Sequence, residues 1–348
     1  NCINTTGVGI HVYHSDYVII RNAEVSFSSG GTGIAVVGEA VNAIIENNTV
    51  HDNFNIGILV AKSVSGPTIY KPVNATTRWN HVYRNVGDPQ DSDGIEYRSS
   101  VGGLIEYNLV HNNIDGQLDV GSPNSTIRYN ILYQDYPGGN AACLKTGVEP
   151  DDGGHFIYGN IAFFNCGTGA SGLGLEGGAQ GNGTGVNLYH NVAVNNTRGI
   201  AVQSGTTNST THNNLAFNNT DDFDLNADVI KSNNFDGNVN GSPLVSDASL
   251  LYDGNGDGNP DALDGIGNFG NSYDTIVYAR QQLKLALTPQ SSSPLIDSGL
   301  FISGFHCASA GEVGNCRTWY GSAPDIGAYE FNPAEQVRTN YVDNLNAG

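Results

Sequence analysis

Methionine is missing altogether from these 348 residues, and basic residues are scarce: 14 Lys and Arg stand against 34 Asp and Glu, a formal charge of −20. A chain without an initiator residue reads as a processed or excised form. The charge balance excludes nucleic acid as a partner, because displacing counterions from a phosphate backbone needs clustered Lys and Arg. No apolar run is long enough to span a membrane, and no signal-peptide pattern opens the chain. No CxxC pair is present to argue for zinc. Helical periodicity of useful length appears only near Tyr278 to Leu287. That scarcity, with the missing consensus residues, excludes leucine-rich, ankyrin and tetratricopeptide arrays. What remains suits a secreted, extracellular protein, or one that binds cations.

Against these absences stand 46 glycines and a recurring asparagine. Asn48, Asn80, Asn108, Asn130, Asn160, Asn191, Asn214 and Asn234 each open an apolar or aromatic stretch, at intervals of 32, 28, 22, 30, 31, 23 and 20 residues. A period averaging about 27 residues signals a solenoid whose repeats stack to bury their apolar faces. Short β-branched runs bounded by Gly, Asn, Asp and Ser precede and follow each asparagine, which reads as strands and turns. Two or three short strands per repeat make one coil of a parallel β-helix. The asparagine would sit in a turn, its amide bonded to the equivalents above and below, which satisfies a group otherwise costly to bury. We read this ladder as scaffold. Coils are expected over 1–245, a C-terminal closing region over 246–331, and a tail over 332–348.

Five cysteines leave one odd. Cys307 and Cys316 are the disulfide candidates, being close in a Gly-rich loop; Cys143 and Cys166 could be neighbours within the coils, and Cys2 has no local partner. Nine Asn-x-Ser/Thr sequons, at Asn4, Asn47, Asn74, Asn124, Asn182, Asn195, Asn208, Asn218 and Asn240, are glycosylation candidates in a eukaryotic secretory route. The segment from Asp253 has EF-hand spacing: Asp253, Asn255, Asp257, Asp261 and Asp264 place oxygens at positions 1, 3, 5, 9 and 12, with Gly258 at position 6. It predicts a structural calcium clamp.

The repeat pattern from about residue 15 to 240 resembles the right-handed parallel β-helix superfamily of secreted polysaccharide lyases and related proteins. The Ser293–Gly299 and Pro324–Phe331 stretches look like a closing segment found in bacterial members. Aligning the strands that follow the ladder gives one outward column of Val37, Ala61, Arg98, Asp119, Lys145, Glu176 and Gln203. Beside it runs another of Ala35, Leu59, Glu96, Gln117, Cys143, Gly174 and Ala201. The charged middle is either a salt-bridge ladder, Arg98–Asp119–Lys145–Glu176, on a solvated face, or an active face. On the second reading Lys145 and Arg98 are the catalytic candidates, and Glu96, Glu176 and Gln203 the substrate-binding ones.

Asp91-Ser92-Asp93, Asp115 and Asp119 followed one coil later by Lys145 resemble the family-nine type pectate lyases. That resemblance implies Asp93, Asp115 and Asp119 as calcium ligands, Asp91 as a further one, and Lys145 as the base that removes the sugar C5 proton. It implies calcium as cofactor and an acidic polysaccharide as substrate, cleaved by β-elimination. Serine at 92 and glutamate at 96 depart from the family's run of aspartates. A non-catalytic filament or surface-layer subunit, assembling end to end because no cap precedes Val18, is the alternative of another class. A carbohydrate-binding adhesin is a third.

Overall fold

The computed structural model describes residues 1–87, 92–134, 142–146, 153–164, 166, 173–177 (backbone alone), 184–203, 206–254, 259–311 and 316–332. Apart from an antiparallel pair, Ser63–Ser65 with Thr68–Tyr70, strands of two to five residues return to the same three walls, each a parallel sheet in which coil n pairs only with coils n−1 and n+1. The first wall has nine strands, from Ile10–Tyr13 to Asp221–Leu225. The second has nine, from Ile19–Arg21 to Ile230–Ser232, and the third ten, from Cys2–Ile3 to Phe235–Asp236. Alternation puts one side chain of every strand inside. Stacking makes those side chains a continuous core, in which Val36, Val60, Tyr97 and Val120 of the first wall lie fully buried one above another.

The asparagine ladder is present, and its turn explains its form. The residue before each ladder asparagine has φ between 52° and 64°, whether it is Asn47, Trp79, Tyr107, Tyr129, Gly159, His190, Asn213 or Asn233. A left-handed residue costs a non-glycine about 1–2 kcal/mol. It lets the chain change walls within two residues and aims the next side chain along the coil axis. Asn48 Nδ2 donates to Asn80 Oδ1 at 2.9 Å, and the relay continues through Asn108, Asn130, Asn160, Asn191 and Asn214 to Asn234 at 2.9–3.1 Å. Aromatic residues accept the strained position because they stack: Trp79 on Tyr107 at 4.7 Å, Tyr107 on Tyr129 at 5.1 Å.

A second ladder escaped the sequence reading. Asn53 donates to Asn85, Asn85 to Asn113 and Asn113 to Gln117, again after left-handed Asp52, Arg84 and Asn112. The signal was available, as an asparagine five residues after each of the first three ladder positions. The same turns account for most sequons: Asn4, Asn47, Asn74, Asn124, Asn195, Asn208 and Asn218 are all left-handed residues at wall changes. Asn182 lies outside the described residues, and Asn240 ends a short helix.

The C-terminal residues run back along the third wall. A helix, Ser272–Leu287, starts six residues before the expected segment because Asn271 caps it, accepting a hydrogen bond from Asp274 N. Its buried face, with Ile276, Ala279 and Leu283, covers the outward side chains Leu109, Ile131, Tyr133, Phe163 and Phe217. Cys307 pairs with Cys316, as its spacing implied, and Cys143 with Cys166; Cys2 is free.

Candidate functional site

The charged residues converge on the first wall, in a register that differs from the sequence alignment. Glu96 pairs with Asp119, Asp119 with Lys145, Lys145 with Glu176, and Glu176 with Ala201. Arg98 pairs with Gly121, so it does not share a column with Asp119, and Glu96 stands where Arg98 was expected. The alignment is off by two residues at two steps, between the coils of Glu96 and Asp119 and between those of Glu176 and Ala201. A slip of two keeps every side chain on its proper face, so alternation cannot expose it. Gln203 falls after the strand Arg198–Val202, outside the column. The column through Lys145 is therefore His11, Ala35, Leu59, Glu96, Asp119, Lys145, Glu176, Ala201 and Asp224.

The alternating ladder Arg98–Asp119–Lys145–Glu176 is replaced by two separate groups. Arg98 Nε donates to Glu96 Oε1 of its own strand. Lys145 Nζ lies 2.9 Å from Asp119 Oδ2, 3.4 Å from Asp115 Oδ2 and 3.9 Å from Asp93 Oδ1. Asp93 stands just before the strand Ile95–Arg98, and Asp115 before Leu118–Gly121. Both thus reach the column from the same corner of successive coils. Asp91 lies outside the described residues, as do Asn255 and Asp257 of the Asp253 loop and the side chain of Glu176. In that loop Gly254 N donates to Asp261 Oδ1 at 2.8 Å, and Asp264 ends a helical turn over Asp261–Leu263.

The column is outward with respect to the coil yet recessed. Asp93 is 1% exposed, Glu96 4% and Asp119 9%. Burial pushes the Asp93 carboxyl well above the ordinary range, and the neighbouring Asp119 pushes it further, while Lys145 offsets part of this. Burial likewise raises Asp119, against the pull of Lys145. Burial opposes the Lys145 ammonium, but the carboxylates of Asp119, Asp93 and Asp115 outweigh it and hold the lysine above its usual range. Without a further positive charge, Lys145 stays protonated.

These groups meet the requirements of a hard-cation site. Asp93, Glu96 and Asp119 each bring one carboxylate oxygen within 4.8 Å of the other two. Asp93 Oδ1 and Asp119 Oδ1 are buried and accept no hydrogen bond, a costly state that an ion would relieve. Room is kept by Gly116, where a Cβ would come 2.4 Å from Asp93 Oδ1 and 3.7 Å from Lys145 Cε. Asp115 is the calcium ligand that the resemblance implies, and Glu96 a substrate-binding candidate; in the fold Glu96 completes the three-carboxylate group and Asp115 sits against the lysine.

A family model for the right-handed β-helix region matches residues 1–174, half of the chain. The chain belongs to that family. Among solved structures, this β-helix is similar to that of pectate lyase Pel9A, with a TM-score of 0.55 and 17% identity over 93% of this chain and 73% of the lyase. It is more distantly similar to a mutant of the periplasmic alginate epimerase AlgG (TM-score 0.42, 13% identity, 65% of this chain and 48% of that one). No curated protein matches this sequence. At such identities the similarity establishes the β-helix and leaves its chemistry to the residues on the first wall. Among the described residues of this family member, no helix is long and apolar enough to cross a membrane.

Proposed function

We propose that this β-helix protein cleaves an acidic polysaccharide by calcium-assisted β-elimination at the first wall, outside the cell. The observation that carries the reading is the buried group of Asp93, Glu96 and Asp119 with Lys145 Nζ 2.9 Å from Asp119. Those three carboxylates would hold calcium, which when bound draws charge from a uronate carboxylate and acidifies the adjacent C5–H. Asp115 and Asp119 orient the Lys145 amine over the column. A cation near Asp93 and Asp119 offsets the charge that keeps the lysine protonated, so that the amine can accept the C5 proton. The C4–O bond would then break, its electron pair leaving with O4, which takes a proton from water, and a C4–C5 double bond would remain in the sugar. Arg98, beside Glu96 and 42% exposed at its side chain, would meet a second uronate carboxylate.

The charge on Lys145 favours one other reading, a module that binds calcium and acidic glycan without turnover. Both are tested by supplying polygalacturonate or alginate with calcium and following the ultraviolet absorbance of unsaturated uronate. The enzyme reading expects product from wild-type protein and at least about a hundredfold loss in Lys145→Met. Binding without product would favour the passive module, and full activity in Lys145→Met would remove the proposed base.

A further inference from the structure

A second constellation lies on the third wall. A cleft of ≈ 650 Å³ opens between the first coils and the segment 266–275 leading into the C-terminal helix, and His51, Glu24, His81 and Tyr83 line it. His51 is held from behind. Its Nδ1 lies 2.6 Å from Asp52 Oδ2, and Arg84 grips the same carboxylate through Nε and a terminal nitrogen at 2.9 and 2.8 Å. With Nδ1 turned to Asp52, Nε2 is the ring nitrogen left to face the cleft. Tyr83 fixes the ring plane by stacking on it at 4.8 Å and 3°. On the Nε2 side stands Glu24, its Oε1 at 3.6 Å and its Oε2 taken by the Asn1 side-chain amide at 2.9 Å.

From this arrangement we propose that His51 Nε2 and Glu24 Oε1 form a site for a zinc-class divalent ion, open to the cleft and separate from the acidic group on the first wall. The 3.6 Å separation is long for a hydrogen bond between these groups. It is the separation of two ligands of one ion: at about 2.05 Å from each, an ion sees them about 120° apart, near the tetrahedral value. A metal-binding imidazole characteristically gives its other N–H to a carboxylate, the role Asp52 fills. Nitrogen and carboxylate donors together select zinc, copper or nickel over calcium, which the all-oxygen group of Asp93, Glu96 and Asp119 suits better. Arg84 neutralises Asp52, so a dication adds to a shell carrying one net negative charge, that of Glu24. The remaining coordination positions face the cleft, where water or a ligand oxygen can enter; His81 also lines it, with its Nε2 2.9 Å from His111 Nε2.

The test is a calorimetric titration of the whole chain with zinc chloride in saturating calcium, repeated with cobalt(II) to read coordination from its visible spectrum. One site is expected in wild-type protein, lost in His51→Ala and in Glu24→Gln, and weakened about 10–100-fold in Asp52→Asn. Asp93→Asn, which alters the first wall, should bind zinc as wild type does. Melting curves of each variant show that the fold survives. Zinc uptake that persists in both His51→Ala and Glu24→Gln, or that disappears in Asp93→Asn, would overturn the proposal. Failure of the lyase assay leaves it standing, since the two sites share no residue.

Discussion

Replacing Lys145 by methionine keeps most of the side-chain volume and removes the one ammonium facing Asp93, Asp115 and Asp119. At 2.9–3.9 Å and an effective dielectric of about 20, each attraction is about 4–6 kcal/mol in gross terms. Desolvating the lysine cancels much of that. The carboxylates also have an escape, because one of them can take up a proton. From an ordinary carboxyl near 3.9, protonation at pH 7 costs about 4 kcal/mol, and about 1.5 kcal/mol at pH 5. That cost caps the penalty. The variant should therefore lose about 3–4 kcal/mol at pH 7 and about 1 kcal/mol at pH 5 in calcium-free urea unfolding. Asp93 and Asp119 already have raised folded-state values, so their contribution is present at low pH and lost as pH rises through those values. The mutation enlarges this dependence without changing its sign. Saturating calcium should narrow the gap between variant and wild type at pH 7. A loss equal at both pH values, or below about 1 kcal/mol at pH 7, would refute the picture of a lysine neutralising a buried acidic cluster.

Two further outcomes follow from the scaffold. Asn130→Ala removes the acceptor of Asn108 N and Nδ2 and the donor to Ile105 O, all buried, and should cost about 3 kcal/mol; Asn234→Ala, at the partly exposed end, should cost about 1 kcal/mol. Amide hydrogen exchange should show the Asn130 loss centred on the coils of Asn108 and Asn160, and equal losses at both positions would contradict a buried relay. Where the C-terminal region meets the coils, His190 Nε2 lies 2.8 Å from His306 Nε2, and Asn213 holds Leu300. Burial lowers His306 to about 4 and His190 well below its ordinary value, with Arg317 adding to both. Their stabilisation is present above about pH 6.5 and lost as pH falls towards 4. Trp319, bonded to Cys307 O at 2.9 Å, should report release of this region by a red-shifted emission in that window, and His190→Asn should flatten the transition.

Much of this architecture is written locally. An asparagine amide can be satisfied within a stack of its own kind only if successive coils present it at one corner, so the spacing of Asn48 to Asn234 was enough to call for a parallel β-helix. The 3.6-residue periodicity near Tyr278 marked the C-terminal helix, and nine-residue spacing marked the Cys307–Cys316 pair. The residue types gathered at Lys145 were legible as well, since acids on successive coils ahead of a lysine are rare in so neutral a set of strands. What stayed hidden was anything that depends on the register between coils. Coil lengths of 20 to 32 residues allow slips of two that alternation tolerates. Only the stacked backbone therefore decided that Glu96, and not Arg98, faces Asp119. The placement of His51 beside Glu24 is of the same kind: 27 residues separate them in the chain, and adjacent strands of the third wall bring their side chains to 3.6 Å. Coil, core and turns follow from the order of residues, because those rest on contacts within a repeat and its nearest copies. The tertiary structure decided which charges meet, and with that what each wall can bind.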